Sequence, residues 1–439
     1  MKRWIPILVL FGLFVAAVAE ARPGGGHSSS GGGRSSGGGR SSSSSSGRSY
    51  GGGGGGGAMS GEAVVLMLVV VVVIMVVKAV QKAKAGPEWT SEAPELQAPV
   101  RAVDFSAQLV RDPAFSRAVF EDFAFELYAA AQRARNTAEI NRLQPYLSDG
   151  VIGALAVRGE PPQQVVVGTL RIESNPVQSG REQMMVRIEA THLGSGTPVF
   201  VVEHWMFGRA QGVQSKPPDR TRTWPCPNCG APWVASPTRA CAHCGTEVSI
   251  GKFDWCVEQI WVDSEHRALA SLTGTVPEYG NDLPTVIDPM AHVLMGQITG
   301  SDSNVSFETL RPRIELVYAQ LNASWNASDL TAVRGFITAA LRNYLEYWLR
   351  EYARQDLRNT LADARIHDLH LAKVTRDTYY DAITVRVFAD GCDFTQNAAG
   401  KIVGGSQTAR RAYTEYWTFL RSSTRRGPVT TSTTCPNCG

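Results

Sequence analysis

The sequence predicts an α+β protein in which helices pack on antiparallel sheets, because helical spacing is followed by strand-like alternation. The helical signal is an apolar residue at every fourth position: Phe115, Val119, Phe123, Leu127 and Ala131. A short second helix is expected from about residue 137 to 147. Strands are predicted where apolar and polar residues alternate: Val186, Ile188 and Ala190, then Ile383, Val385 and Val387. A later strand is expected to place four side chains on one face: Phe253, Trp255, Val257 and Trp261.

Three patterns occur twice in the same order, which indicates a duplicated module. The pair Leu127-Tyr128 and the helix end after it match Val317-Tyr318 at a constant offset of 190 residues. Trp-x-Phe-x-Arg stands at 205–209 and again at 417–421, and Cys-Pro-Asn-Cys-Gly stands at 226–230 and again at 435–439. Two homologous domains are the simplest explanation.

Four segments precede the duplicated part. Residues 1–21 have a basic start, an apolar run and a small-x-small end, which predicts a signal peptide; an uncleaved first membrane helix is the alternative. Residues 22–61 are rich in Gly and Ser and are expected to be disordered. Residues 62–80 contain a 15-residue apolar run and predict a transmembrane helix, with a polar linker at 81–104.

The charges around this span predict its orientation. Lys78, Lys82 and Lys84 follow the apolar run and Glu62 precedes it, so the positive-inside rule places the later domains in the cytoplasm. The chain is expected to cross its membrane once.

Phe115, the helix end at residues 131–136 and the duplicated patterns resemble the Tim-forty-four-like (Tim44-like) domain, named after a mitochondrial inner-membrane import subunit. The order of segments resembles bacterial members of this family, which implies a location in the inner (cell) membrane of a bacterium. The resemblance covers 105–265 and 304–439, with a linker expected at 266–303. It implies two cone-shaped domains like nuclear transport factor two, each a curved antiparallel sheet around helices. The namesake docks on the membrane and tethers the import chaperone. This chain departs from it in its two domains, cysteine pairs and membrane span, so the tethering role is not carried over.

A structural zinc site is predicted from four cysteines: Cys226, Cys229, Cys241 and Cys244. Two C-x-x-C pairs separated by eleven residues offer four thiolates, which suits tetrahedral zinc. Four unrelated thiols or a redox pair are the disfavoured alternatives. The site forms a ribbon inserted at 214–251 in the first domain, and this ribbon has too few apolar side chains to fold without metal.

The second domain carries an incomplete version of the site. Cys435 and Cys438 are present, and no further cysteine pair follows them. A counterpart of the strand that contains Phe253 is also missing, so we expect a truncated second domain. The alternative is a divergent domain whose lone pair binds nothing or bridges two chains.

Composition and motifs favour a binding protein over other classes. The net charge of +3 hides a local +5 in residues 1–57, so the remainder sums to −2 and nucleic-acid binding is disfavoured. His204 is interpreted as a packed or edge histidine rather than a catalytic one, and no catalytic residue is assigned. A basic, aromatic helix is expected from about Leu330 to Arg358; it covers the sheet or, alternatively, lies on anionic lipid.

The predicted function is a non-enzymatic scaffold that binds inner-membrane lipid or a protein partner. The alternatives are an enzyme or small-molecule-binding domain, or a zinc-ribbon nucleic-acid binder.

Overall fold

The structure, a computed structural model, describes residues 103–218, 224–267, 272 and 280–432. The predicted signal peptide, Gly/Ser segment and transmembrane helix lie outside these residues, as does the linker except for its last two residues. Cys435 and Cys438 also lie outside them. Within the described residues, no helix combines the length and the apolar character needed to span a bilayer.

The first half, residues 103–267, has its helices ahead of its strands. The helices are α1 (Ser106–Arg111), α2 (Arg117–Ala134), a 3₁₀ helix (Ala138–Leu143) and α3 (Asp149–Ala156). The strands are β1 (Gln164–Ser174), β2 (Val177–Gln178), β3 (Arg181–Leu193), β4 (Val199–Ala210) and β5 (Cys256–Arg267). They form an antiparallel sheet in the order β1-β3-β4-β5, and β2 pairs with β3.

The apolar face of α2 packs on one face of this sheet and forms the core of the first half. Phe120, Leu127, Trp205 and Phe207 are buried in one cluster with the inward residues of β3. The N-cap residue of α2 is Ser116, whose hydroxyl accepts a hydrogen bond from the Val119 backbone at 3.3 Å. The predicted α+β class, with helices and antiparallel sheet, is confirmed.

The second half, residues 280–432, repeats the same order of elements. Its helices are α4 (Ala291–Ser301), α5 (Phe307–Ala327), a 3₁₀ helix (Thr331–Val333) and α6 (Ala339–Arg354). Its strands are β6 (Leu357–Arg376), β7 (Tyr380–Asn397), β8 (Ile402–Gly405) and β9 (Arg411–Ser422). β7 lies beside β6, and both β8 and β9 pair with the other edge of β7.

The central strand pairs of the two halves have the same register. In the first half, Trp205 of β4 lies opposite Val186 of β3; in the second, Trp417 of β9 lies opposite Val385 of β7. Both ladders run through twelve consecutive residue pairs without a bulge. Each Trp-x-Phe-x-Arg pattern therefore lies on an uninterrupted antiparallel ladder of its half.

Three expectations from the sequence differ from the structure. The expected linker at 266–303 contains α4, because Ala291, Met295 and Ile298 bury one face of that helix in the second core. The helix expected from about Leu330 to Arg358 is limited to Ala339–Arg354, and Arg358 is already in β6.

The third difference concerns Trp261, which does not share the core face with Trp255 and Val257. A bulge at Glu258 shifts the register of β5 against β4, so the alternation of faces changes by one residue. Ile260 consequently packs towards the core, whereas Trp261 is partly exposed and stacks on His204 with ring centroids 5.3 Å apart.

The two halves contact each other through α6 and β1. Val166 of β1 is buried in one apolar cluster with Leu345 and Trp348 of α6 and with Trp325 of α5. Asn343 of α6 donates a hydrogen bond from Nδ2 to the Val165 carbonyl at 2.9 Å. The apolar side of α6 is therefore covered by protein rather than facing outward, which argues against the alternative that this helix lies on lipid.

Candidate metal centre

The four cysteines predicted as ligands lie on two turns of the same geometry. In the first turn, the Gly230 amide donates to the Cys226 carbonyl at 2.8 Å and the Cys226 amide donates to the Ala231 carbonyl at 2.8 Å. In the second, the Gly245 amide donates to the Cys241 carbonyl at 2.9 Å. Gly230 and Gly245 have φ values of 78° and 66°, a conformation that glycine adopts without a steric penalty. The glycine after each cysteine pair thus allows the chain to turn around a central point.

The sulfur atoms of these turns converge. The Sγ atoms of Cys226, Cys229, Cys241 and Cys244 all lie within 4.8 Å of one another. The Sγ of Cys226 is 4.0 Å from that of Cys244, and the Sγ of Cys229 is 3.8 Å from that of Cys241. A tetrahedron with Zn–S bonds of about 2.3 Å requires S···S separations of about 3.8 Å. The donor set and its spacing therefore fit a tetrahedral metal ion.

The surroundings of the thiols favour the thiolate form at part of the site. Hydrogen bonds from the side chain and backbone of Thr246, and from the Asn228 amide, lower the pKa of Cys244 to about 6. Backbone amides of Cys244 and His243 lower the pKa of Cys241. Burial raises the pKa of Cys226 to about 12. A bound cation would remove this last penalty, because a coordinating thiol is deprotonated by the metal.

The apolar core of the ribbon is small. Cys226, Trp233, Cys241 and Val248 are its buried members, and Phe253 packs against them. Two of these four are cysteines, so without metal the remaining apolar contacts are few. The expectation that metal binding supplies the order of the ribbon agrees with this composition.

Polar contacts fix the ribbon to the first half. Arg239 donates to the carbonyls of Gln144 and Leu147 and pairs with Asp149 at the start of α3. Tyr146 donates from its hydroxyl to the Pro225 carbonyl at 2.8 Å. These docking residues were not identified from the sequence, because Arg239 lies 90 or more residues from its partners and carries no local signal.

A buried network of ion pairs stabilises the segment at which the ribbon joins the first half. Nη2 of Arg209 lies 2.7 Å from Oδ2 of Asp112 and 2.7 Å from Oε2 of Glu182, and all three side chains are almost fully buried. Ser215, near the start of the ribbon, donates to Asp112 from both its backbone and its hydroxyl. Burial alone would raise the pKa of Glu182, but hydrogen bonds from Gln108, Arg209 and Arg111 lower it. The arginine of the Trp-x-Phe-x-Arg pattern thus connects α1, the sheet and the ribbon.

The second half contains a matching network. Arg421 pairs with Asp302, the C-cap of α4, and its Nη1 lies 3.4 Å from Oδ2 of Asp381. Asp112 is likewise the C-cap of α1. The acids were missed from the sequence, although a signal exists: Asp112 and Asp302 differ by the same 190 residues as the helix patterns.

His204 lies on the sheet face opposite the core. Its Nε2 is 3.2 Å from Oε2 of Glu173, and its ring stacks on Trp261. The neighbouring residues Glu203 and Trp205 point to the other face, where Trp205 donates from Nε1 to Oε2 of Glu203 at 2.7 Å. His204 is thus a mostly buried residue of the outer face, next to the Glu173 carboxylate.

A cleft lies between the start of α2 and the base of the ribbon. It is lined by Ser116, Phe120, Ser215, Lys216, Asp254 and Trp255, among others, and its cavity volume is about 30 Å³. Nζ of Lys216 lies 3.5 Å from Oδ2 of Asp254. The pKa of Asp254 is raised overall, because the effect of burial exceeds the lowering by Lys216. The space accommodates one or a few waters.

Comparison with known proteins identifies the second half. A search of curated proteins gave no match to the chain. A protein-family model described as the Tim44-like domain matches residues 291–430. The matched range begins at the first residue of α4 and ends beyond β9, so it includes every helix and strand of the second half. Residues 291–430 are therefore a Tim44-like domain.

Proposed function

We propose that this chain is a membrane-anchored, non-enzymatic scaffold whose Tim44-like domains present binding surfaces to a protein partner or to lipid. The observation that carries the proposal is the match of residues 291–430 to the Tim44-like domain. The expected anchor at 62–80, the single crossing and the bacterial inner membrane are part of the proposal, with the domains on the cytoplasmic side.

The first half is proposed to be a second domain of the same kind, cone-shaped like its partner. Three features support this: the shared order of helices and strands, the identical register of the central ladders, and the matching networks of Arg209 and Arg421. In this view the ribbon is an insertion between β4 and β5.

The metal of the ribbon is proposed to be structural zinc. Four protein sulfurs fill a tetrahedral coordination sphere, which leaves no position for a substrate or a reactive water. The role of the metal is then to hold the two turns together and to keep the ribbon surface in one conformation.

A nucleic-acid partner is less well supported by the ribbon contacts. Lys216 contacts the Pro227 carbonyl and Asp254, and Arg239 contacts carbonyls and Asp149. These two cations are therefore engaged within the protein, whereas nucleic-acid binding depends on cations that are free to reach the phosphates and displace their counterions.

Proximity labelling of the full-length chain in its membrane tests the proposal. A labelling enzyme fused to the chain is expected to mark a reproducible set of neighbours, and Cys226→Ser with Cys229→Ser is expected to remove those that contact the ribbon. Cys392→Ala is the matched control, because this buried cysteine of β7 is remote from the four convergent sulfurs.

Two outcomes would contradict the proposal. One is a set of neighbours identical to that of an unrelated membrane-anchored protein. The other is turnover of a small molecule by the purified protein that His204→Ala abolishes. Absence of zinc in the purified protein, measured by elemental analysis, would contradict the metal assignment alone.

A further inference from the structure

A segment ahead of α4 crosses the outer face of the second sheet. Residues 280–288 begin over β9, where Asn281 donates from Nδ2 to the Ala412 carbonyl at 2.9 Å. They end at β6, where the Asp288 amide donates to the Ala372 carbonyl at 2.8 Å. Because β7 lies between these two strands, the segment spans the sheet, and we call it the strap.

A row of three side chains on this face holds the strap. Its members are His370 of β6, Arg386 of β7 and Tyr416 of β9, which lie opposite one another in the ladders. Their neighbours along each strand belong to the core, so the row lies on the outer face. Arg386 is almost fully buried and donates to the carbonyls of Gly280 and Leu283 at 2.7 Å each. The centre of the row thus binds backbone groups of the strap.

Both ends of the row contact the strap as well. Nδ1 of His370 lies 2.8 Å from Oγ1 of Thr285. The Tyr416 hydroxyl accepts a hydrogen bond from the Val286 amide at 3.0 Å. The row therefore binds an extended segment at three points, with one contact to a strap side chain.

The first half has polar side chains in the equivalent row. Arg187 of β3 lies opposite Arg171 of β1 and His204 of β4, in the register that relates Arg386 to its two neighbours. Both sheets also shift register beside the row, at residues 172–174 in β1 and at the corresponding place in β6. The two outer faces are therefore built alike.

Two nitrogens of the first row lack a partner. Nε of Arg171 and Nδ1 of His204 are buried and have no hydrogen-bond partner among the residues that the structure describes. Nε2 of His204 lies 3.2 Å from the Glu173 carboxylate, so in a neutral imidazole Nε2 carries the proton and Nδ1 is an acceptor. The row thus offers a donor at Arg171 and an acceptor at His204, the two positions at which the second row contacts the ends of its strap.

The sequence ahead of the first half matches the strap at the offset of the helices. Pro94 and Pro99 stand 190 residues before Pro284 and Pro289, the offset that also relates the helix patterns and the C-cap aspartates. Residues 90–98 are therefore the sequence counterpart of the strap. They precede Val103, the first residue that the structure describes, by only a few positions.

This counterpart is chemically complementary to the first row. Glu95 takes the place of Thr285, and Arg171 takes the place of its partner His370. A contact between a hydroxyl and an imidazole is thus exchanged for a carboxylate and a guanidinium, which form a charge-assisted hydrogen bond. Between residues 85 and 100 the chain has three Glu and no Lys or Arg, so the segment is acidic where the row is basic.

We propose that the outer face of the first sheet is a docking site for residues 90–98 of the same chain, which cross it as a second strap. Glu95 pairs with Nε of Arg171, and the amide that corresponds to that of Val286 donates to Nδ1 of His204. Arg187 also pairs with Glu189 through Nη1, but a guanidinium has five N–H groups and keeps donors for the strap carbonyls.

A docked strap shortens the tether between the first half and the membrane. Of the polar linker, only the nine residues 81–89 remain free, and they reach at most about 30 Å when fully extended. The first half is then held close to the bilayer instead of standing off on a long flexible segment. This consequence rests on the proposed anchor at 62–80, whereas the docking itself does not.

Hydrogen exchange of the full-length chain tests the docking. Residues 90–98 are expected to exchange more slowly than 81–88 by about tenfold or more, and Arg187→Gln is expected to remove the difference. Arg386→Gln is the matched control, because it should release 280–288 and leave the first strap protected. Protection of β3 and β4 shows whether the Arg187→Gln chain remains folded.

A charge exchange tests the register. Glu95→Arg and Arg171→Glu are each expected to release the strap, and the double variant is expected to recover its protection because the opposite charges are restored. Glu92→Arg is the control within the segment: its counterpart Asp282 is exposed, so this change should leave protection unaltered.

Three results would overturn the proposal. They are exchange at 90–98 as fast as at 81–88 in the unaltered chain, protection that a folded Arg187→Gln chain retains, and a double variant no better protected than Glu95→Arg alone. A row covered by another protein or by lipid would give the first result in the purified chain. None of these measurements depends on the membrane anchor or on a scaffold role, so either proposal can fail without the other.

Discussion

The strands β4 and β9 share a pattern but have different surroundings. Both hold an arginine that pairs with the C-cap aspartate of the first helix and with an acid on the neighbouring strand: Asp112 and Glu182 for Arg209, Asp302 and Asp381 for Arg421. After β4 the chain forms the ribbon and returns as β5; after β9, residues 423–432 contain no further strand. The arginine network is thus shared by both halves, whereas β5 adds Val257 to the core of the first half.

This difference separates two sources of order in the first half. The helices and the sheet are stabilised by a large apolar cluster, as in the second half. The ribbon has four buried residues, and two of them are cysteines. Order in the module therefore derives from burial, whereas order in the ribbon is proposed to derive mainly from metal coordination.

Removal of the metal should give the largest effect and should be confined to the first half. With Cys229→Ala or a strong chelator, residues 224–251 are expected to lose all protection in hydrogen exchange, because zinc contributes about 10–16 kcal/mol in comparable small sites. The amides of β7 and β9 should keep their protection. Cys392→Ala, which changes a buried cysteine outside the ribbon, is expected to retain one metal per chain. Equal loss of protection in both halves would show that the ribbon supports the entire fold.

The two arginines of the repeated pattern should differ in their importance. Arg209→Met leaves the buried Asp112 carboxylate without its paired cation and leaves Glu182 with Arg111 alone, which is expected to cost about 3–5 kcal/mol in the free energy of unfolding of the first half. Arg421 is 12% exposed, so Arg421→Met should cost less in the second half. The stability of each half is measured by hydrogen exchange in β3 and β4 and in β7 and β9. A larger effect of Arg421→Met would contradict the comparison.

Adding Glu182→Gln to Arg209→Met provides the control. This second change removes the charge of Glu182, one of the two carboxylates that lose Arg209, so it is expected to recover part of the lost stability. If the double variant is less stable than the single one, the loss comes from packing of Arg209 on Trp255, whose ring centre lies 4.3 Å from the guanidinium carbon.

The sequence determined much of this architecture because its signals are local. The fourth-residue spacing from Phe115 to Ala131 predicts α2, and the two C-x-x-C turns predict the convergent sulfurs, since both depend on chain geometry over a few residues. The position of Trp261 could not be predicted in this way. A single bulge in β5 reverses the faces on which the following side chains lie, and that bulge depends on pairing with β4, about fifty residues earlier.

Contacts between distant segments were also beyond the local pattern. Asp112 gives no indication of Arg209 as its partner until the sheet brings them together. The apolar side of α6 was expected to cover a sheet, and its location on β1 of the other half depends on how the halves assemble. Periodicity identifies the face of a helix that is buried; it does not identify the surface that buries it.

The stability of the first half should fall at acidic pH because of His192. Burial, together with Arg135 and Arg158, lowers the pKa of His192 to about 3, and its Nε2 lies 2.9 Å from the Tyr128 hydroxyl. Below about pH 6.5 the unfolded chain takes up a proton that the folded chain does not, so stability decreases from about pH 6.5 to about pH 3. The expected loss between pH 6.5 and pH 4.5 is on the order of 3 kcal/mol.

The pH effect has a direct control in a second histidine. His192→Gln should flatten the dependence of β3 and β4 protection between pH 6.5 and 4.5, whereas His266→Gln, at an exposed position of β5, should leave it unchanged. In the second half, the hydroxyl of Tyr318, the counterpart of Tyr128, contacts the Tyr413 hydroxyl, whereas Tyr128 contacts His192. The second half should therefore lack this histidine contribution to the pH dependence of stability. A pH profile that His192→Gln does not alter would assign the acid sensitivity to other groups.

The smallest effect is expected at the contact between the halves. Asn343 donates to the Val165 carbonyl at 2.9 Å and accepts from Nε2 of Gln164 at 2.8 Å, so Asn343→Ala removes two hydrogen bonds and should cost about 1 kcal/mol. Arg342→Ala is the control on the same helix, since Arg342 pairs with Glu346 at 3.6 Å on a partly exposed surface. Hydrogen exchange should show faster opening of β1 for Asn343→Ala and no change for Arg342→Ala. Because β1 and α6 belong to different halves, exchange that accelerates in both elements together would show that the two modules open as a unit, whereas a change in β1 alone would show that each half keeps its own stability.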